Sequence, residues 1–167
     1  YQHCSNFFKN NQIKYQSTTT DNIINISNKE IICKNQNITI DTIDYIVVSP
    51  GISPSNNAIK DLKKVGCKIT TDIEIVQSLS RSKFICVTGT NGKTSTVNLI
   101  ADIMNDNNLK TIACGNNGVS VFESLLGEYD YVVLELSSYQ LEYIKTLNSY
   151  ISIVLNISPD HLDRHIN

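Results

Sequence analysis

The segment from Phe84 to Met104 constrains this 167-residue chain more than any other. Four consecutive apolar residues, Phe84-Ile85-Cys86-Val87, run into Thr88-Gly89-Thr90-Asn91-Gly92-Lys93-Thr94. Val97, Ile100, Ala101 and Met104 then recur at helical spacing. An unbroken apolar run of this kind is typical of a strand buried on both faces of a parallel sheet, and the 3.6-residue period that follows reads as an amphipathic helix. The glycines between them let the backbone curl so that successive N–H groups converge. The helix N-terminus adds a partial positive charge, and the two together cradle an anion.

This setting gives the loop a chemistry. Lys93 is placed to reach the β and γ phosphates of a nucleotide as a mobile point charge, and the hydroxyl of Thr94 to ligate Mg²⁺. Gly89, Thr90, Asn91, Gly92, Lys93, Thr94 and Ser95 form the candidate cofactor-binding segment. Its spacing departs from the general G-x-x-x-x-G-K-[ST] pattern, because Val87 stands where the first glycine would be.

The rest of the second half repeats the alternation of strand and helix. Strands are expected at Thr111–Cys114, Tyr131–Leu136 and Ile151–Ile157, with helical segments near Val119–Leu126 and Ser138–Ile144. Short connections between them argue for an α/β domain with a mainly parallel sheet. The first half is less regular. Residues 1–37 are polar and Asn-rich, with short β-like runs at Ile23–Ile26 and Ile31–Cys33. Tyr45–Val48 is a clearer strand, ended by Ser49-Pro50-Gly51. Ser55 is expected to cap a helix carrying Ala58, Ile59, Leu62 and Val65, and Gly66 to end it. Cys67–Thr70 reads as a further strand, and Asp72 as the cap of a short helix through Leu79. A boundary near Arg81-Ser82 would divide the chain into domains 1–82 and 83–167.

Charge and cysteine usage exclude several classes. Residues 1–82 hold nine basic and seven acidic groups, and residues 83–167 hold five and nine. Neither half has the basic stripe of a nucleic-acid binder. Cys4, Cys33, Cys67, Cys86 and Cys114 form no C-x-x-C pair and are odd in number, which predicts reduced thiols rather than disulfides or zinc ligands. No apolar run reaches the ~20 residues a membrane-spanning helix needs. A cytoplasmic protein without membrane insertion is the expectation.

A nucleotide site also needs groups for the metal, and in an open α/β sheet these come from the carboxyl ends of neighbouring strands. Glu135, at the end of one expected strand, reads either as such a ligand or as an exposed strand end. His161 follows another strand; it and His165, taken alone, read as surface residues or helix caps.

Four segments occur in the order and spacing of one family: VVSPGI at 47–52, VTGTNGKT at 87–94, LELSSYQLE at 134–142 and NISPDHLDRH at 156–165. On these the chain resembles the Mur ligases, and within them the branch that adds D-glutamate. The lysine- or diaminopimelate-adding branch would carry a His where this chain has Tyr139. The resemblance implies a partial Rossmann-like N-terminal domain that binds a UDP-linked substrate, followed by part of a P-loop ATPase domain. It implies an ATP- and Mg²⁺-dependent amide-bond ligase of peptidoglycan synthesis that joins D-glutamate to UDP-N-acetylmuramoyl-L-alanine through an acyl phosphate, and that is monomeric at full length. By the same resemblance, Lys93, Glu135 and His161 are catalytic, and Thr94, Glu135 and His161 serve metal ions. The resemblance also implies that Ser137 and Gln140 contact the UDP-sugar substrate, that Ser49, Pro50 and Gly51 line its uridine site, and that Asn116 binds near the substrate and metals.

Measured against the family, the chain is expected to be an interior slice. It is expected to lack the first strand with its uridine-binding glycine loop, the metal-bridging lysine downstream and the C-terminal domain, and to be inactive alone. The competing readings are another Mur ligase, a folylpolyglutamate synthase-like ligase, and a degenerate nucleotide-binding remnant.

Overall fold

The computed structural model describes residues 8, 9, 14, 16, 18, 20–27 and 30–165 of the chain. Two compact units divide it, Tyr1–Asp72 and Ile73–Asn167.

In the first unit, β1 (Ile23–Ile26), β2 (Glu30–Cys33) and β3 (Asn37–Thr39) form an antiparallel meander, with Ile31 opposite both Ile26 and Ile38. The connections, residues 27–29 and 34–36, are far shorter than the dozen or so residues a parallel crossover needs. Rossmann-like parallel pairing is therefore not open to this stretch. It occurs where the spacing allows: β4 (Ile46–Val47) and β5 (Ile69–Thr70) pair in parallel across α1 (Asn57–Lys64), whose Ile59 and Leu62 are buried. Asn56, not Ser55, caps α1. Its Oδ1 accepts from the Ala58 N–H at 2.9 Å, whereas the Ser55 hydroxyl pairs with Ser53 Oγ at 2.7 Å. At the other end Gly66 sits at φ +85°, a left-handed turn that costs glycine nothing and lets the Cys67 N–H reach the Leu62 carbonyl at 3.0 Å.

The two units meet at the first residue of α2 (Asp72–Leu79). Side chains of α2 tie it to residues far ahead in sequence. Glu74 Oε1 accepts from the N–H groups of Lys145 and Thr146, both at 2.9 Å, and Gln77 exchanges two hydrogen bonds with the backbone of Asn148.

β6 (Lys83–Thr88), β7 (Thr111–Gly115), β8 (Tyr131–Glu135) and β9 (Ile151–Val154) build one sheet in the order β7-β8-β6-β9, and every pairing in it is parallel. The apolar run of β6 occupies an interior position, as its composition requires. α3 (Lys93–Asp106) packs Val97 and Ala101 onto Ile85, Val87 and Val133, with Ile100 and Met104 closing the cluster. Several expected elements come out shorter, β4, β5 and β8 by one or two residues. β9 stops at Val154, the segment expected to be helical at 119–126 is a 3₁₀ turn over Val121–Leu125, and α4 spans only Ser138–Leu141. Cys33, Cys67, Cys86 and Cys114 form no disulfide, and Cys4 lies outside the described residues. No helix among the described residues is long and apolar enough to cross a membrane.

Candidate functional site

Because the four strands run parallel, their carboxyl ends share one edge of the sheet, where ligand crevices form in open α/β folds. Four chain segments leave that edge: residues 89–92 after β6, Asn116 after β7, Leu136-Ser137 after β8 and Leu155-Asn156 after β9. A cavity of about 400 Å³ opens there, lined by Thr90, Asn91, Gly92, Lys93, Thr94, Ser95, Asn116 and Glu135.

The loop delivers its donors through the start of α3. The N–H groups of Lys93, Thr94 and Ser95 belong to the first helical turn and have no carbonyl one turn earlier to bond. No acidic residue occupies that turn to compete for them. Lys93 folds back over its own loop, its Nζ donating to the Gly89 carbonyl at 2.7 Å and to the Thr90 carbonyl at 3.0 Å. A cation thus stands over the loop, held by two carbonyls that an arriving phosphate oxygen can replace.

Glu135 lies in register with Val87 on one side and Gly115 on the other, at the same level as the base of the loop. The two-residue period of a strand puts its side chain on the face of Val133, which packs against α3. It is 2% exposed, which removes the reading of an exposed strand end. Asn116 Nδ2 donates to Glu135 Oε1 at 3.2 Å. Glu135 Oε2 is buried with no hydrogen-bond partner. A carboxylate oxygen buried unpaired is costly, and Glu135 lines the same cavity as Thr94. That orphaned oxygen fits a cation. Among the described residues no three His, Cys, Asp or Glu side chains gather to hold a metal. The one carboxylate that lines the cavity would fit Mg²⁺, which keeps several waters and binds through one or two carboxylates plus phosphate oxygens.

Close packing explains two glycines at this edge. A Cβ on Gly115 would lie 2.4 Å from the Glu135 carbonyl oxygen, so only glycine lets the end of β7 pass Glu135 at this distance. A Cβ on Gly89, at φ +143°, would lie 3.1 Å from both the Asn156 carbonyl oxygen and Leu155 Cβ. Gly92 differs: it holds φ +85° as the residue before α3, and a Cβ there would meet only Leu155 Cδ1, at 3.8 Å.

Other sequence candidates lie elsewhere. Ser137 and Gln140 bond each other in a capping box that starts α4, with the Ser137 N–H donating to Gln140 Oε1 at 2.8 Å and the Gln140 N–H to Ser137 Oγ at 3.3 Å. His161 is exposed, at φ +50°, with its ring centroid 4.9 Å from that of Tyr139. It does not line the cavity that holds Lys93 and Glu135. His165 stacks on the same Tyr139 ring at 5.6 Å, and Arg164 ion-pairs with Glu142. Ser49, Pro50 and Gly51 belong to the first unit, where the Ile52 N–H closes a turn on the Ser49 carbonyl at 3.0 Å.

Two participants escaped sequence reasoning. Asn156 and Ser158, just past β9, hydrogen bond to Asn91 and Thr90 of the loop. Their position after the fourth strand of the same edge is the signal that marks them.

Residues 87–167 match the family model described as the Mur ligase middle domain. The chain is 44% identical over 124 residues to the UDP-N-acetylmuramoylalanine--D-glutamate ligase of Rickettsia conorii, covering 74% of this chain and 25% of that protein. It is 43% identical over 145 residues to the ligase of the same name from Rickettsia bellii, covering 83% and 32%. For the counterpart in Caldanaerobacter subterraneus the identity is 39% over 125 residues, covering 74% and 28%. The chain therefore spans about a quarter to a third of the length of these curated relatives. With the loop, the buried glutamate and three of the four parallel strands falling inside the matched segment, the chain belongs to the Mur ligase family.

Proposed function

We propose that this chain carries the ATP-phosphate site of a cytoplasmic ligase that joins D-glutamate to UDP-N-acetylmuramoyl-L-alanine in peptidoglycan synthesis. The observation that carries the reading is the convergence of Lys93, Thr94, Asn116 and Glu135 on one cavity, with Glu135 Oε2 unpartnered. The names of the relatives supply the substrates.

In such a reaction a carboxylate oxygen of the first substrate attacks the γ-phosphorus of ATP, the bond to the β,γ-bridging oxygen breaks, and ADP leaves. The amine of D-glutamate then adds to the acyl phosphate carbon, phosphate leaves, and the nitrogen loses a proton. Phosphoryl transfer of this kind asks the protein for position and charge rather than covalent chemistry. The amides of the first turn of α3 would orient the terminal phosphates, and Lys93 would exchange its two carbonyls for phosphate oxygens. Thr94 and Glu135 would hold Mg²⁺, which neutralises charge on those oxygens when bound. Asn116 would keep Glu135 Oε1 occupied so that Oε2 faces the cation. The substrate roles of Ser49, Pro50, Gly51, Ser137 and Gln140, and a metal role for His161, rest on the family resemblance.

The test is product formation by the protein made from the complete reading frame, given ATP, Mg²⁺, UDP-N-acetylmuramoyl-L-alanine and D-glutamate. The expected product is the D-glutamyl adduct with one ADP and one phosphate. Lys93→Ala should lower turnover by about two to three orders of magnitude, in line with loss of a charge that meets the transferring group. Transfer of a different amino acid, or glutamylation of folate, would point to another branch of the superfamily.

A further inference from the structure

We infer that Asn156 is a positioning residue for the phosphate loop, acting through the backbone of Asn91. Its carboxamide makes a two-way pair with one peptide unit of the loop: Asn156 Oδ1 accepts from the Asn91 N–H at 2.9 Å, and Asn156 Nδ2 donates to the Asn91 carbonyl at 2.9 Å. Its backbone carbonyl accepts from the Thr90 N–H at 3.1 Å. Two residues on, the Thr90 hydroxyl donates to the Ser158 carbonyl at 3.1 Å or accepts from the Ser158 N–H at 3.0 Å. These contacts join residues 65 and 68 positions apart in sequence, and Gly89 is the residue that lets the two segments approach so closely.

The pairing divides the labour of the loop. The N–H groups of Thr90 and Asn91 point to the exit of β9, so they are spent on holding the loop in shape. Those of Lys93, Thr94 and Ser95 stay with the cavity. Fixing the Asn91 peptide plane fixes the direction in which Gly92 turns the chain into α3, and with it the aim of those three donors. At neutral pH a carboxamide is the one uncharged side-chain group that presents a donor and an acceptor side by side to match a peptide N–H and C=O. Both residues are exposed, so the pair lends little to global stability, and its effect is local to the loop.

The inference rests on the phosphate-site reading above, and the test separates the two. ATP and inorganic tripolyphosphate are titrated calorimetrically into the 167-residue chain, Asn156→Ala, Asn156→Asp and Lys93→Ala, with thermal unfolding followed in parallel. Both Asn156 variants should bind each probe about tenfold or more weakly, as small misplacements of a binding group do, while unfolding within a few degrees of the parent. Asn156→Asp should regain affinity relative to Asn156→Ala as pH falls toward about 4, because a protonated carboxyl again offers a donor beside an acceptor. A purely structural role would give no such recovery. Unchanged affinity in both Asn156 variants, with Lys93→Ala weakened, would overturn the inference and leave the phosphate site standing. No binding of either probe by the parent chain would overturn both.

Hydrogen exchange on the parent chain needs no variant. The Asn91 amide should exchange slowly, and those of Lys93, Thr94 and Ser95 quickly until tripolyphosphate protects them. Fast exchange at Asn91 would overturn the clamp.

Discussion

Glu135 sets stability against chemistry at a single side chain. Its buried Oε2 has no partner, and an uncompensated polar oxygen in a core costs on the order of 1–3 kcal/mol. Glu135→Gln removes the charge and keeps an oxygen for Asn116. The metal-free variant should therefore be more stable than the parent by about 1 kcal/mol, visible as a rise of a few degrees in Tm, and should lose the gain in ATP affinity that Mg²⁺ gives the parent. Parent-like Mg²⁺ dependence in the variant would remove Glu135 from the metal site. Cys86 carries a second residue-scale prediction. Burial pushes its thiol from an ordinary value of 9.0 up to about 11. Below pH 9 the native and unfolded chains are both protonated there. Between about 9 and 11 the unfolded thiol ionises while the native one does not, so the stability that the buried thiol contributes is lost as pH rises through that window. Cys86→Ala should flatten the fall of Tm from pH 8 to 11, though not abolish it, since burial raises Cys67 and Tyr143 in the same direction.

The elements differ in how far local sequence determines them. β6, the glycine loop and α3 were legible because each signal is contained within a few residues: an apolar run, glycines, a helical period. The antiparallel meander of β1 to β3 was not, since short apolar runs carry no record of strand direction until the connection length is weighed. Glu135 was legible as a strand end, but its burial depends on Gly115 letting β7 close over it, which no window around Glu135 reveals. Asn156 was read only as part of a family string, because its role depends on β9 lying beside β6. His161 was read toward the metal on resemblance alone, and its ring packs against Tyr139. Gly115→Ala tests the close pairing of β7 and β8. A Cβ there would lie 2.4 Å from the Glu135 carbonyl, so the strand ends must part. Denaturant unfolding should show a loss of about 2–4 kcal/mol, in the range of severe overpacking at a positive-φ site, together with loss of the Asn116 to Glu135 bond.

At the scale of the whole molecule, β9 is an edge strand among the described residues, and the chain around it is apolar: Tyr150 is 59% exposed, Val154 60% and Ile157 89%. An edge with open backbone groups and apolar side chains recruits other strands. The 167-residue chain should self-associate as its concentration rises, and Val154→Lys, which puts a charge on that edge, should reduce the sedimenting or light-scattering aggregate without lowering Tm. Aggregation unaltered by the lysine would place the sticky surface elsewhere.

The two glycines of the phosphate loop look alike in the sequence and answer to different demands. Position 92 needs only a left-handed turn, where a Cβ would make one ordinary contact with Leu155, and asparagine also tolerates that conformation. Position 89 needs room as well, because the exit of β9 fills the place of any side chain. In a library that randomises both codons and selects for nucleotide capture, position 92 should return glycine with a minority of asparagine. Position 89 should return glycine alone.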